Sequence, residues 1–175
     1  MSDANRFDDL LPAGTLTPLQ LAELARSAAS RVDVDLLVRR DRDHRFCLQL
    51  WCDGTSEGWL LGWLDDQETG FHDHDASAGG VHVIEGAVAE DRLTLGGPHA
   101  TRVVSAGESF SFDTQHIHRM RHHGTEPALS LHVYSPPLES MGSYEVVDGI
   151  LRRLSIPPDE ELAPRGDLVV AAAAA

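Results

Sequence analysis

From residue 45 onward, apolar and β-branched residues recur in short runs, each closed off by a cluster of Gly, Asp, Pro or Ser. The runs are Phe46–Cys52, Trp59–Leu64, Val81–Val88, Arg92–Leu95, Arg102–Val104, Ser109–Phe112, Ile117–Arg121, Ala128–Tyr134 and Tyr144–Leu151. Strands at intervals of ~8–12 residues, with no helical periodicity between them, predict a mainly β chain folded as an antiparallel sandwich or barrel. A helix precedes them. Thr17 suits the cap, Pro18 the first helical position, and Gln20 the third position of a capping box. Leu21, Leu24, Ala25 and Ala28 follow at helical spacing and supply one apolar face. A second short helix or turn is expected over Val32 to Arg40. Residues 1–14 are polar and acidic and read as a loose lead. Residues 15–155 read as a single domain with an N-terminal helix. Residues 156–175, with three prolines and a closing run Ala171–Ala175, read as a flexible tail.

Composition narrows the function. The chain has 175 residues, 42% hydrophobic and 24% charged, the profile of one globular domain. Its 14 basic and 28 acidic side chains leave a net charge of −14. That sign argues against nucleic-acid and anionic-membrane partners, which require a concentrated basic surface. No apolar stretch approaches the ~18 residues of a membrane-spanning helix. The first residues lack the basic and apolar regions of a secretory signal. Cys47 and Cys52 lie five apart on one expected strand. An odd offset places them on opposite faces, roughly 16 Å apart at ~3.3 Å per residue, beyond the ~7 Å that a disulfide spans. Both are expected to be reduced, in a cytoplasmic protein.

Nine of the ten histidines fall between residues 72 and 132. His72 and His74, at i and i+2 on a strand, point the same way, about 6.5–7 Å apart at the backbone, so both imidazoles can reach one ion. The alternative is a polar strand edge with two solvated histidines. The same spacing returns in Gln115-His116-Ile117-His118-Arg119, and Ser130, His132 and Tyr134 line one face of a later strand. Ile117, Leu131 and Val133 alternate with these residues and are expected to face the other way. A polar line inside a barrel needs partners or a ligand. For His132 alone, a core histidine held by Tyr134 would suffice. His122 and His123 read as a solvated turn, and His82 and His99 as packing or surface residues.

Together these clusters resemble the two motifs of a cupin, a small jelly-roll β-barrel that holds one metal. More specifically, His72-Asp73-His74, Gly86, Ile117-His118-Arg119 and the segment Glu126-Pro127-Ala128-Leu129-Ser130-Leu131-His132-Val133-Tyr134-Ser135-Pro136-Pro137 are similar to the cysteine dioxygenase family of thiol dioxygenases. Trp59-Leu60-Leu61-Gly62-Trp63 also resembles the family's strand ahead of the metal motif. The resemblance spans about residues 45–140.

It implies a cupin barrel with a short N-terminal helical segment, one Fe(2+) held by His72, His74 and His118, and Ser130, His132 and Tyr134 hydrogen-bonded beside it. Many cupins add a glutamate soon after the two histidines. Here Ala76, Ser77, Ala78 and Gly79 stand in that stretch, so three imidazoles are expected to leave a divalent metal at +2. Such a charge would lower the pKa of a bound thiol. The implied reaction turns a small thiol and O2 into the sulfinate. Imidazole ligands do not choose among divalent metals; iron comes from the resemblance.

Two departures are visible. Animal members carry a cysteine that crosslinks to the tyrosine; Gly79 stands at the matching position, so Tyr134 is expected to be unmodified. Members acting on cysteine use an arginine for the substrate carboxylate; the match falls on Gln49, as in 3-mercaptopropionate dioxygenases, with Arg45 close enough to serve instead. An arginine forks two charge-assisted bonds to a carboxylate, which glutamine cannot. The expected function is a thiol dioxygenase with cysteine the default substrate and 3-mercaptopropionate the second. The alternatives are a non-catalytic metal- or ligand-binding cupin, or a zinc or nickel cupin working as an isomerase or lyase. The expected assembly is a monomer or weak homodimer.

Overall fold

A computed structural model describes residues 6–37, 45–94, 98–148 and 150–158. Eleven strands among them form two antiparallel sheets facing each other. They are β1 (Cys47–Cys52), β2 (Glu57–Trp63), β3 (Phe71–Asp73), β4 (Ala78–Glu85), β5 (Ala87–Arg92), β6 (Ala100–Ser105), β7 (Ser109–Phe112), β8 (His118–His123), β9 (Ala128–Ser135), β10 (Met141–Val147) and β11 (Ile150–Ile156). One sheet has the order β1-β2-β9-β4-β7 and the other β11-β10-β3-β8-β5-β6. The expected jelly-roll barrel is the observed fold. Two expected runs divide: Val81–Val88 breaks at Gly86, and Tyr144–Leu151 belongs to a hairpin of β10 and β11.

Alternation within the strands separates two cores. Inward positions, among them Leu61, Trp63, Val81, Val83, Val88, Phe110 and Met120, fill the barrel. Outward positions of the five-stranded sheet, including Leu60, Leu129, Leu131 and Val133, pack under helix α1 (Pro18–Ala29). Leu131 and Val133 thus face away from His132, as their alternation requires. All eight residues of β9 are buried, since the barrel covers one face and α1 the other.

The helix begins as its sequence predicts. Thr17 and Gln20 form a reciprocal capping box, Pro18 opens the first turn, and Leu21, Leu24, Ala25 and Ala28 are buried. It lies directly on β4 because Gly80 has no side chain: a Cβ there would sit 2.2 Å from the Leu21 carbonyl carbon. The second expected helix is the short α2 (Val34–Leu37), and the rest of that stretch lies outside the described residues.

Within the lead expected over residues 1–14, the described part carries a 3-10 turn over Asp8–Leu10. Phe7 is buried, its ring 5.2 Å from that of Trp51. Burying an aromatic ring is worth on the order of 2 kcal/mol, enough to hold a short polar segment. Residues 159–175, most of the expected tail, lie outside the described residues.

The expected placement of the cysteines on opposite faces is corrected by a β-bulge. The register of β1 on β2 shifts between Gln49 and Trp51, so Cys47 pairs with Leu61 and Cys52 with Glu57. Leu61 and Glu57 are an even number of residues apart, and both cysteines therefore fall on the barrel-facing side, one buried and one exposed at the rim. Neither forms a disulfide.

Gly80→Ala is expected to push α1 off the sheet and destabilise the protein by roughly 2 kcal/mol, a fall in Tm of roughly 4–8 °C. Thermal unfolding followed by circular dichroism measures it; an unchanged Tm would show that the helix does not depend on this contact.

Candidate metal centre

Paired residues on neighbouring strands project to the same side, so register gathers the polar groups. Trp59, Val81 and His132 share one inward row, Leu61, Val83 and Ser130 a second, and Glu57, Gly79 and Tyr134 a third. The opposite sheet supplies the histidines, with His72 on β3 directly paired with His118 on β8. His74 follows one residue after the end of β3.

The three imidazoles converge. Each of His72, His74 and His118 offers a ring nitrogen within 4.8 Å of the others, and all three residues are buried. Burial holds the pKa values of His72 and His74 well below the ordinary histidine range, reinforced by neighbouring imidazoles. His118 is also lowered by burial, against an opposing pull from Glu90. Neutral rings with available lone pairs are what a divalent metal requires.

Hydrogen bonds orient two of them. His72 Nδ1 donates to the Gly70 carbonyl at 3.1 Å, and His118 Nδ1 to Glu90 Oε1 at 2.8 Å, which leaves each Nε2 for an ion. Neither ring nitrogen of buried His74 has a hydrogen-bond partner among the described residues. Leaving such a group unbonded costs on the order of 1–3 kcal/mol, and a metal ion at the convergence point would remove that cost for the nitrogen that faces it. The residues fit a metal.

Beside them runs a relay. Trp63 Nε1 donates to Ser130 Oγ at 2.9 Å; Ser130 Oγ lies 2.8 Å from His132 Nε2, and His132 Nδ1 3.3 Å from the Tyr134 hydroxyl. The indole can only donate, so Ser130 accepts there and directs its own hydrogen to His132. His132 then carries its hydrogen on Nδ1, facing Tyr134, and the tyrosine proton points away from the relay. Burial, reinforced by the neighbouring His118 and Arg45, pushes the His132 pKa down to about 3, so the ring stays neutral.

A family model described as cysteine dioxygenase type I matches residues 33–146, well over half of the chain. The chain belongs to the cysteine dioxygenase type I family. Two solved structures share the fold. An uncharacterised conserved protein with a double-stranded β-helix domain from Klebsiella pneumoniae is 20% identical with a TM-score of 0.53, over 60% of this chain and 83% of its own. The protein TT1209 from Thermus thermophilus is also 20% identical with a TM-score of 0.53, over 61% of this chain and 96% of its own.

The departures from other cysteine dioxygenase sequences now have positions. Gly79 is the cross-strand neighbour of Tyr134, and a Cβ added there would lie 2.1 Å from Phe112 Cζ. The Phe112 ring thus occupies the space where a crosslinking side chain would have to start. The two candidates for a substrate carboxylate separate. Gln49 is exposed, and its Nε2 donates to Glu57 Oε2 at 3.0 Å. Arg45 lines one narrow cavity with His72, His118, His132 and Tyr134, its guanidinium 5.1 Å from the Trp63 ring centroid and its Nη1 donating to the Glu68 carbonyl at 3.2 Å. Arg119 turns outward to Asp91 at 2.7 Å.

Among the remaining histidines, His122 corrects the expectation of a solvated turn: it lies on β8 with its side chain 6% exposed, between the Glu126 carbonyl and Asp65. His123 and His99 are exposed, and His82 is partly buried against Ser109.

Two supporting residues escaped the sequence reading. Glu90 lies on β5, in phase with inward Val88, an alternation that could have flagged it. Asp73, between the two histidines, faces the other way. It accepts hydrogen bonds from the Arg153 guanidinium, the Tyr144 hydroxyl and the Gly142 and Asp75 amides. Burial alone would raise its pKa, but these donors hold it well below the usual carboxylate range. That clamp fixes β3 to the β10–β11 hairpin. Asp73→Ala should therefore destabilise the fold by roughly 2 kcal/mol, since the buried Gly142 amide and the half-buried Tyr144 hydroxyl lose a charged acceptor. Denaturant titration checks this; a loss below about 1 kcal/mol would deny the clamp its role.

Proposed function

We propose that this protein is an iron-dependent dioxygenase for a small thiol carboxylate, with cysteine the first candidate and a sulfinate the product. The observation that carries the reading is one cavity lined by two histidines of the three-histidine cluster, His72 and His118, by His132 and Tyr134 of the relay, and by the half-buried Arg45. In this reading His72, His74 and His118 hold Fe(2+). The metal, when bound, would supply a site for thiolate and O2 side by side, with O2 the oxidant and both of its atoms ending in the sulfinate.

The protein's own residues do the rest. Arg45 would take the substrate carboxylate. Its support is its position in the cavity, where a stacked guanidinium offers a fork of donors. Gln49, bonded to Glu57, is the weaker candidate. The neutral relay would hold the Tyr134 hydroxyl in place and aim its proton at the substrate side. Leu61, Met120 and Met141 would keep water from the reacting sulfur. A metal-binding cupin without catalysis would have no need of the relay.

Oxygen uptake by anaerobically iron-loaded protein, with cysteine, 3-mercaptopropionate and cysteamine offered separately, tests the reading. Uptake matched by sulfinate supports it, with the two carboxylates preferred over cysteamine. No uptake with any of the three, at one tightly held iron per chain, would sink it in favour of a binding module.

Arg45→Leu is expected to raise KM for the carboxylate thiols about 30-fold or more, the loss of a charge-assisted pair worth ~2 kcal/mol. It should leave any cysteamine turnover unaltered, and Gln49→Ala should change KM by less than about threefold. The opposite pattern would transfer the role to Gln49. Tyr134→Phe should lower kcat by about 100-fold at unchanged iron content; full turnover in that variant would remove the tyrosine from the mechanism.

A further inference from the structure

Behind the histidine cluster, on the side away from the relay, lies a carboxylate that the proposed reaction does not use. Glu90 is 2% exposed and its partners are all cationic or N–H groups. Oε1 accepts from His118 Nδ1 and from His116 Nε2, each at 2.8 Å, and Oε2 accepts from Arg102. Each of these partners is a donor, and the Arg102 guanidinium is always charged, so both oxygens of the carboxylate accept. His116 is held in turn by Phe112, whose ring lies 5.2 Å away at 13°. The stack leaves little freedom to the group that shares Oε1 with His118.

We propose that Glu90 is a positioning residue: it fixes His118 in the Nδ1–H tautomer, turns Nε2 toward the metal and strengthens that nitrogen as a donor. This inference rests on the reading of His118 as a metal ligand. A neutral imidazole carries one hydrogen, and a carboxylate oxygen 2.8 Å from Nδ1, its partner oxygen held by Arg102, decides which nitrogen holds it. His72 has only a backbone carbonyl in this role and His74 nothing among the described residues. The three ligands are therefore unequal, and His118 is the strongest. The missing carboxylate after His74 is thus offset in part from another strand, one hydrogen bond removed from the metal. The group Glu90, His116 and His118 could itself be read as a cation site. Its two 2.8 Å separations converge on one oxygen as hydrogen bonds, which leaves no place for an ion between them.

Two measurements on the full chain test the role. The first is Co(II) binding in competition with a chelator, for wild type, Glu90→Leu, Glu90→Gln, His74→Ala and His116→Ala. Glu90→Leu is expected to lose about 10–100-fold in affinity and to shift the d–d absorption of the bound ion. Glu90→Gln, whose amide oxygen still accepts one hydrogen bond, should lose less. Unchanged affinity and spectrum in a folded Glu90→Leu protein would overturn the role of Glu90 alone. Wild-type affinity in His74→Ala, or lost binding in His116→Ala but not in His74→Ala, would overturn the three-histidine reading and this inference with it. The second measurement needs no variant: 15N–1H correlation of the imidazoles in zinc-loaded wild type. A His118 hydrogen on Nδ1, shifted downfield by the carboxylate, is the expected result; a hydrogen on Nε2 would overturn the proposal.

Discussion

A neutral imidazole buried with neither nitrogen bonded is expensive, and His74 is in that position. Much of the rest of the barrel serves to hold that ring in place. Its ring packs against two aromatic neighbours, Phe112 at 4.7 Å and Tyr134 at 5.0 Å. Its chain neighbour Asp73 ties the strand to the β10–β11 hairpin through Arg153 and Tyr144. Packing energy from the surrounding core is thereby used to keep one polar group aimed at the point where the other two histidines also aim. Preorganisation of this kind is what separates a metal centre from a cluster of solvated histidines.

The two sheets divide the chemistry. The six-stranded sheet carries the three histidines and the carboxylate behind them. The five-stranded sheet carries the relay, with β9 sealed under α1. Because the sheets face each other across the barrel, the ligand cluster and the relay meet without sharing a strand. The polarity of the relay follows from an indole at one end, since Trp63 can donate and never accept. Each side chain in it has one assignable job, and the neutral state of His132 is secured by burial.

A pattern within about eight residues could be read directly from the chain. Strand alternation sent Ser130, His132 and Tyr134 inward and Leu131 and Val133 outward, because the strand period of two is intrinsic to extended backbone. The capping box, the apolar face of α1 and the close placement of His72 and His74 are local in the same sense. Whatever depended on register between distant strands could not be read that way. The bulge in β1 reversed the expected placement of the cysteines through one extra residue. Glu90 reaches His118 across 28 positions, and Asp73 reaches Arg153 across 80.

The sequence by itself determined the mainly β class, the helix, the family and the inward placement of Ser130, His132 and Tyr134, since side-chain type and short-range spacing set all of these. Only the tertiary structure decided that Arg45 and not Gln49 borders the cavity, that Phe112 fills the space over Gly79, and that a carboxylate from β5 stands behind a histidine from β8. The physical reason is the same in each case. Which side chains meet inside a barrel depends on strand order, bulges and the loops between strands, and these answer to the packing of the whole core, not to any one segment.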